Sequence, residues 1–110
     1  MFDMLKMMGK VKEVQGKMKE AQEQLRDIYA DGESGGGLIK VKANGNKELV
    51  KLEIDDSLIQ IEDKKMMTDL IIAAVNKAVL EADTKSKEHL KKSTEGILPN
   101  IPGIDFSGLG

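Results

Sequence analysis

The chain has no cysteine, no tryptophan, one histidine and three aromatic residues among its 110 positions. Without cysteine there is neither a disulfide frame nor a thiolate metal site. With His89 as the only histidine, the borderline metals lack ligands, and no serine or carboxylate near it forms a nucleophilic triad. No apolar run approaches the ~20 residues that cross a bilayer. The start, Met1-Phe2-Asp3-Met4-Leu5-Lys6, lacks the basic-then-apolar order of a signal peptide, so the cytoplasm is the expected compartment. Aromatics contribute 3% of the residues, and seven methionines fill part of the gap. Methionine packs adaptably but specifies shape weakly. A single domain of this length buries a modest core, so apolar helix stripes are expected to associate between copies.

Charge is segregated rather than abundant. The formal charge is -2 and the isoelectric point about 5.5, which taken alone argues mildly against nucleic acid as a partner. The distribution says more. Between Met4 and Ala30 six basic residues face four acidic ones, whereas Glu53 to Asp63 holds five acids and no base. A positive face is therefore compatible with a slightly acidic protein.

What is present is a small sheet between two long helical patterns. From Met4 to Tyr29, Met7, Val11, Val14, Met18, Ala21, Leu25 and Ile28 recur at alternating spacings of four and three, a coiled-coil-like stripe. Gly16 lies on the far side and weakens the helix by about 1 kcal/mol relative to alanine, so the helix needs a partner. A short strand over Tyr29–Glu33 should close at the turn Ser34-Gly35-Gly36-Gly37. Leu38–Ala43 alternates, with Ile39, Val41 and Ala43 on one side and Lys40 and Lys42 on the other. Asn44-Gly45 is the preferred pair of a two-residue type I′ turn. That turn would bring back a strand over Lys47–Ile54, pairing Ile39 with Val50 and Val41 with Glu48 and placing Val50 and Leu52 on an apolar face. After Asp55-Asp56-Ser57, Leu58, Ile59 and Ile61 should pack in a short turn. A second helix then starts near Asp63, a plausible N-cap. Its face of Met67, Leu70, Ile71, Ala74, Val75, Ala78, Val79 and Ala82 is broad enough to cover the sheet. Beyond Ala82 the apolar pattern fades, so that half is expected to stand in solvent or against a partner. Residues 1–96 read as one domain, and 97–110 as a Pro/Gly-punctuated apolar tail.

Several of these residues, in this order and spacing, resemble the YbaB/EbfC family of bacterial nucleoid-associated DNA-binding proteins. They are Gln22-Glu23-Gln24-Leu25, Gly32 to Val41, Asn44-Gly45, Glu53-Ile54-Asp55, Asp69-Leu70-Ile71 with Ala73-Ala74 and Asn76, and Pro102-Gly103. Asp56 stands where the family pattern has proline. The resemblance implies an α+β subunit of helix, three antiparallel strands and long helix. It implies that two subunits join through their sheets into a tweezer-like homodimer, and that the dimer binds duplex DNA with little sequence preference in the nucleoid.

Beside the resemblance, the chemistry narrows by elimination. The acids Asp55, Asp56, Glu62 and Asp63 lack the spacing of a calcium loop and suit helix capping better. Gly35-Gly36-Gly37 leads into a strand, not into a helix as a phosphate loop must. Neither an enzyme, nor a cofactor, nor a small-molecule substrate, nor a membrane is expected. Basic residues remain. Lys12, Lys19 and Arg26 repeat every seven residues, forming one stripe away from the apolar one, whereas Lys10 and Lys17 sit among Glu13 and Glu20. Lys85, Lys87, Lys91 and Lys92 cluster late in the second helix. These seven are the candidate DNA contacts, read from charge geometry. Met7, Val11, Val14, Met18, Leu25, Ile39, Val41, Val50 and Leu52 are the candidate core or dimer seam. No Arg, Asn or Gln group suggests base reading, and stacking aromatics for single strands are absent. The rival reading is a protein–protein adaptor that grips through Met4, Met7, Met8 and Met18 and the tail's Ile97, Leu98, Ile101 and Ile104.

Overall fold

A computed structural model of the chain describes residues 3–95. Helix α1 spans Asp3–Gln24 and ends in a 3-10 turn, Leu25–Asp27. Strands β1 (Tyr29–Ser34), β2 (Ile39–Asn44) and β3 (Leu49–Ile54) form one antiparallel sheet in sequential order. Two 3-10 turns, Asp56–Leu58 and Ile61–Asp63, lead into helix α2, Lys64–Thr94. The expected order of helix, three antiparallel strands and long helix is the observed one. The tail at 97–110 lies outside the described residues.

Helix α2 lies across β1 and β2, because the alternation of those strands leaves one face apolar. Ala30, Ile39, Val41 and Ala43 meet Ala74, Ala78 and Ala82 in one fully buried cluster. Alanines suffice there because the backbones come very close. A Cβ on Gly32 would lie 2.4 Å from the Ala74 carbonyl oxygen and 2.5 Å from the Ala78 nitrogen. Ser34, two residues further along the strand and buried on the same side, donates its hydroxyl to the Leu70 carbonyl at 2.6 Å. Helix and strand are thus locked together by glycine, alanine and one hydroxyl rather than by bulk.

The second half of α2 departs from expectation. Ser86, Leu90 and Thr94 are buried, and Leu90 packs with Ala21 and Leu25 of the α1 end, flanked by Met18 and Ile28. The two helices therefore run antiparallel, with His89 Nε2 sharing a 2.8 Å hydrogen bond with the Gln24 side chain. The buried positions Ala74, Ala78, Ala82, Ser86, Leu90 and Thr94 are each four apart. At 3.6 residues per turn such a line drifts around the helix, so α2 turns one side to the sheet and another to α1. Small and polar members of the stripe concealed it from a reading by hydrophobicity.

The β2–β3 hairpin also differs. Asn44 accepts the Asn46 and Glu48 amides on its side-chain oxygen, at 2.9 and 3.1 Å. That side-chain turn widens the loop, and the left-handed position falls on Lys47 (φ 64°) rather than on Asn44 and Gly45. Gly45 has a different duty: its amide donates to the Leu25 carbonyl at 2.8 Å, and a Cβ there would meet that oxygen. The register moves accordingly. Ile39 faces Ile54, Val41 faces Leu52 and Ala43 faces Leu49, leaving Val50 as the extra residue of a bulge. At the other turn the three glycines Gly35, Gly36 and Gly37 all take positive φ. Leu58 is buried as expected, but Ile59 and Ile61 are exposed. Asp63 precedes α2 without a side-chain capping bond.

Candidate nucleic-acid interface

Helix α1 turns Val14, Met18, Ala21 and Leu25 toward α2, which leaves the opposite side to solvent. Lys12 and Lys19 of α1, and Arg26 of the 3-10 turn that ends it, are all exposed. Their spacing of seven, nearly two helical turns, stacks them in one row along the outer flank. Among the described residues none of the three has an ion-pair partner, and Glu13 and Lys17, four apart on the helix, do not pair either.

The four lysines of α2 do not form one cluster. Lys85 and Lys92 are seven apart on one flank of the buried line Ser86–Leu90–Thr94, and Lys87 and Lys91 are four apart on the other. Two of them have protein partners. Lys85 Nζ donates to the Tyr29 carbonyl at 2.8 Å. Lys87 Nζ is 3.1 Å from Asp83, which also meets Lys47 at 2.9 Å. Hydrogen bonds from Lys47 and then Lys87 hold the Asp83 carboxyl below its usual range. Lys91 and Lys92 are exposed with no such partner among the described residues.

The outer face of the sheet is the other large polar surface. Asp31, Glu33, Lys40, Lys42, Lys51 and Glu53 line an open hollow of about 400 Å³ there. Opposite charges are interleaved: Asp31 faces Lys42 and Glu33 faces Lys40 across the β1–β2 ladder. Lys51 and Glu53 pair at 2.9 Å, which raises the lysine's pKa and lowers the glutamate's. A face with three acids among three lysines gathers no phosphate. Among the described residues no three His, Cys, Asp or Glu side chains are grouped to hold a metal. Asp55, one of the acids considered, accepts the Ser57 hydroxyl at 2.6 Å and amide at 2.9 Å, which lowers its pKa.

The apolar candidates divide sharply. Leu25, Ile39 and Val41 are buried and Val14 and Met18 half-buried. Met7 and Val11 stand 64% and 53% exposed, because α2 ends before it reaches them, and Val50 and Leu52 are each 48% exposed on β3. Sequence reasoning missed Leu90, which closes the two helices together, and Lys77, which donates to the Glu33 carbonyl at 3.2 Å. The spacing of four from Ala82 to Ser86 to Leu90 is the signal that leads to the first. Nothing local signals the second.

Fold and surface together define a small α+β domain that presents two antiparallel helices with basic flanks. The sequence matches the model of the YbaB/EbfC DNA-binding family over residues 1–97, and the chain belongs to that family. It is 44% identical over 102 residues to a nucleoid-associated protein of Anaeromyxobacter dehalogenans, covering 93% of this chain and 97% of that one. A nucleoid-associated protein of Desulfotalea psychrophila is 36% identical, with 93% and 94% covered. The crystal structure of an uncharacterized Helicobacter pylori protein, HP0035, superposes with a TM-score of 0.67 at 30% identity, covering 78% of this chain and 90% of that one. The family is a DNA-binding one, not a family of enzymes.

Proposed function

We propose that the protein is a nucleoid-associated homodimer that binds duplex DNA through backbone phosphates with little sequence preference. It acts in the cytoplasm, on the nucleoid, in an architectural or gene-regulatory role. The observation that carries the reading is the row Lys12, Lys19 and Arg26, exposed along α1 and the 3-10 turn that ends it and free of ion pairs among the described residues. Lys91 and Lys92 extend the basic surface from α2. Pairing of two subunits doubles the count and offers a duplex two basic arms. Each phosphate neutralised releases counterions, so binding must weaken steeply with salt.

The dimer is supported by β3, an edge strand not covered by α2, on which Leu49, Val50 and Leu52 stand 48–49% exposed. Apolar residues on a bare edge favour a second copy.

The test is binding of the whole protein to a random-sequence duplex between about 50 and 200 mM salt. The expected result is a log–log line falling with a slope of about -0.9 per phosphate contacted. Replacing Lys12, Lys19 and Arg26 with Glu should abolish binding while the circular dichroism stays helical. No binding at the lowest salt overturns the proposal. In that event the adaptor reading gains, on the strength of Met4, Leu5, Met7, Met8 and Val11, which stand 53–77% exposed along the first half of α1.

A further inference from the structure

The three-stranded sheet has two edges, and they are finished differently. In an antiparallel strand the backbone groups of alternate residues point toward the neighbour or away from it. On β1, Tyr29 and Glu33 have the same parity, and each gives its carbonyl to a lysine of α2. Lys85 Nζ lies 2.8 Å from the Tyr29 oxygen and Lys77 Nζ 3.2 Å from the Glu33 oxygen. The match is metric. Eight residues of helix rise about 12 Å, and four residues of strand about 13 Å. A helix antiparallel to β1 therefore carries lysines at twice the spacing of its outward carbonyls, so that the first and last of three, Tyr29 and Glu33, are met and Asp31 lies between them. Among the described residues, no side chain from another element bonds the outer backbone of β3.

We propose that Lys77 and Lys85 guard the β1 edge against strand addition by a second copy of this chain, so that copies associate through the β3 side only. An incoming strand must donate amides to the outward carbonyls of β1. The lysines already occupy the two outer ones of the three, Tyr29 and Glu33, and their charge must be displaced or buried before a strand can seat. Open edges on both sides would permit unlimited sheet extension. One closed edge makes association stop at the pair.

The proposal rests on the reading that copies meet through the sheet, and the experiment separates the two. Light scattering on the full-length wild type across a concentration series tests the pairing. The same series on Lys77→Ala/Lys85→Ala tests the guards, with Lys77→Arg/Lys85→Arg as the variant that keeps both donors. The expected result is a weight-average mass about twofold or more above wild type at the top of the series for the alanine pair, as an unblocked edge predicts. The arginine pair should match wild type. A wild type that stays monomeric removes the pairing reading, while a larger mass for the alanine pair still supports the guards. An alanine pair with wild-type mass at every concentration and intact helical dichroism overturns the proposal. If the alanine pair fails to fold, Lys77→Gln/Lys85→Gln, which is neutral and too short to reach both carbonyls, decides by the same comparison.

Discussion

Strands β1 and β3 flank the same central strand, yet α2 lies on β1 and leaves β3 bare. Both are six residues long. What lets β1 take the helix is a missing side chain. Gly32 lets the α2 backbone approach to a distance that no Cβ tolerates, and the alanines of α2 complete the fit. On β3, by contrast, Leu49, Val50 and Leu52 are larger and more hydrophobic, and they stay half exposed. Burial in this subunit follows closeness of approach rather than hydrophobicity of the strand. The most apolar strand is the one that still lacks a cover.

The largest test of that contrast is Gly32→Val. With backbone atoms 2.4 and 2.5 Å from the new Cβ, α2 must lift from β1. A loss of about 3 kcal/mol or more is expected, in the range of severe overpacking. In a domain of this size that lowers the melting temperature by roughly 12–24 °C. A melting temperature within a few degrees of wild type would refute the close-approach account.

A matched pair sharpens it. Ile39→Ala empties a fully buried site and should destabilise by about 2–4 kcal/mol at any protein concentration. Leu52→Ala, on the exposed side, should change little in dilute protein, by under about 1 kcal/mol. Its effect should grow with concentration if copies meet on β3. Chemical denaturation at two protein concentrations checks both. Equal losses at the two sites in dilute protein would mean that β3 is covered within its own subunit.

The smallest expected effect concerns the tether between the β2–β3 loop and α2, the Lys47–Asp83–Lys87 group. Asp83 is held below its usual pKa by its lysines, so its folded value lies under its unfolded one. Its contribution is then complete at neutral pH and fades as pH falls from the ordinary aspartate value, about 3.9, through the depressed one. Wild type and Asp83→Asn should differ slightly in urea midpoint at pH 7 and converge in acid. A difference that widens in acid would reverse the sign of the argument.

Much of this fold was legible in the chain. The alternation of Ile39, Val41 and Ala43 announced the buried face, and the order of elements followed from the Gly-rich turn and the two helical patterns. The register was not legible, because it depends on which atom of Asn44 bonds which amide. A side-chain oxygen that takes two backbone donors converts an apparent two-residue turn into a wider one and shifts every partner on β3. The end of α2 was misread for a different reason: serine and threonine occupy positions where close packing to α1 wants small volume, not apolarity. At the basic surface, the row on α1 was visible as a period of seven. The partners of Lys77 and Lys85 are backbone carbonyls distant in sequence, and no local pattern carries that information, whereas Lys87 meets Asp83 at the local spacing of four.

Helix α2 has neither glycine nor proline in its 31 residues, whereas α1 has Gly9 and Gly16, each with nothing within 4 Å of where a side chain would begin. Mechanically these are a stiff beam and a compliant one laid side by side. The beam fixes the direction of the arm relative to the sheet. The first half of α1, past the reach of the beam, is where the arm can flex to follow whatever it touches.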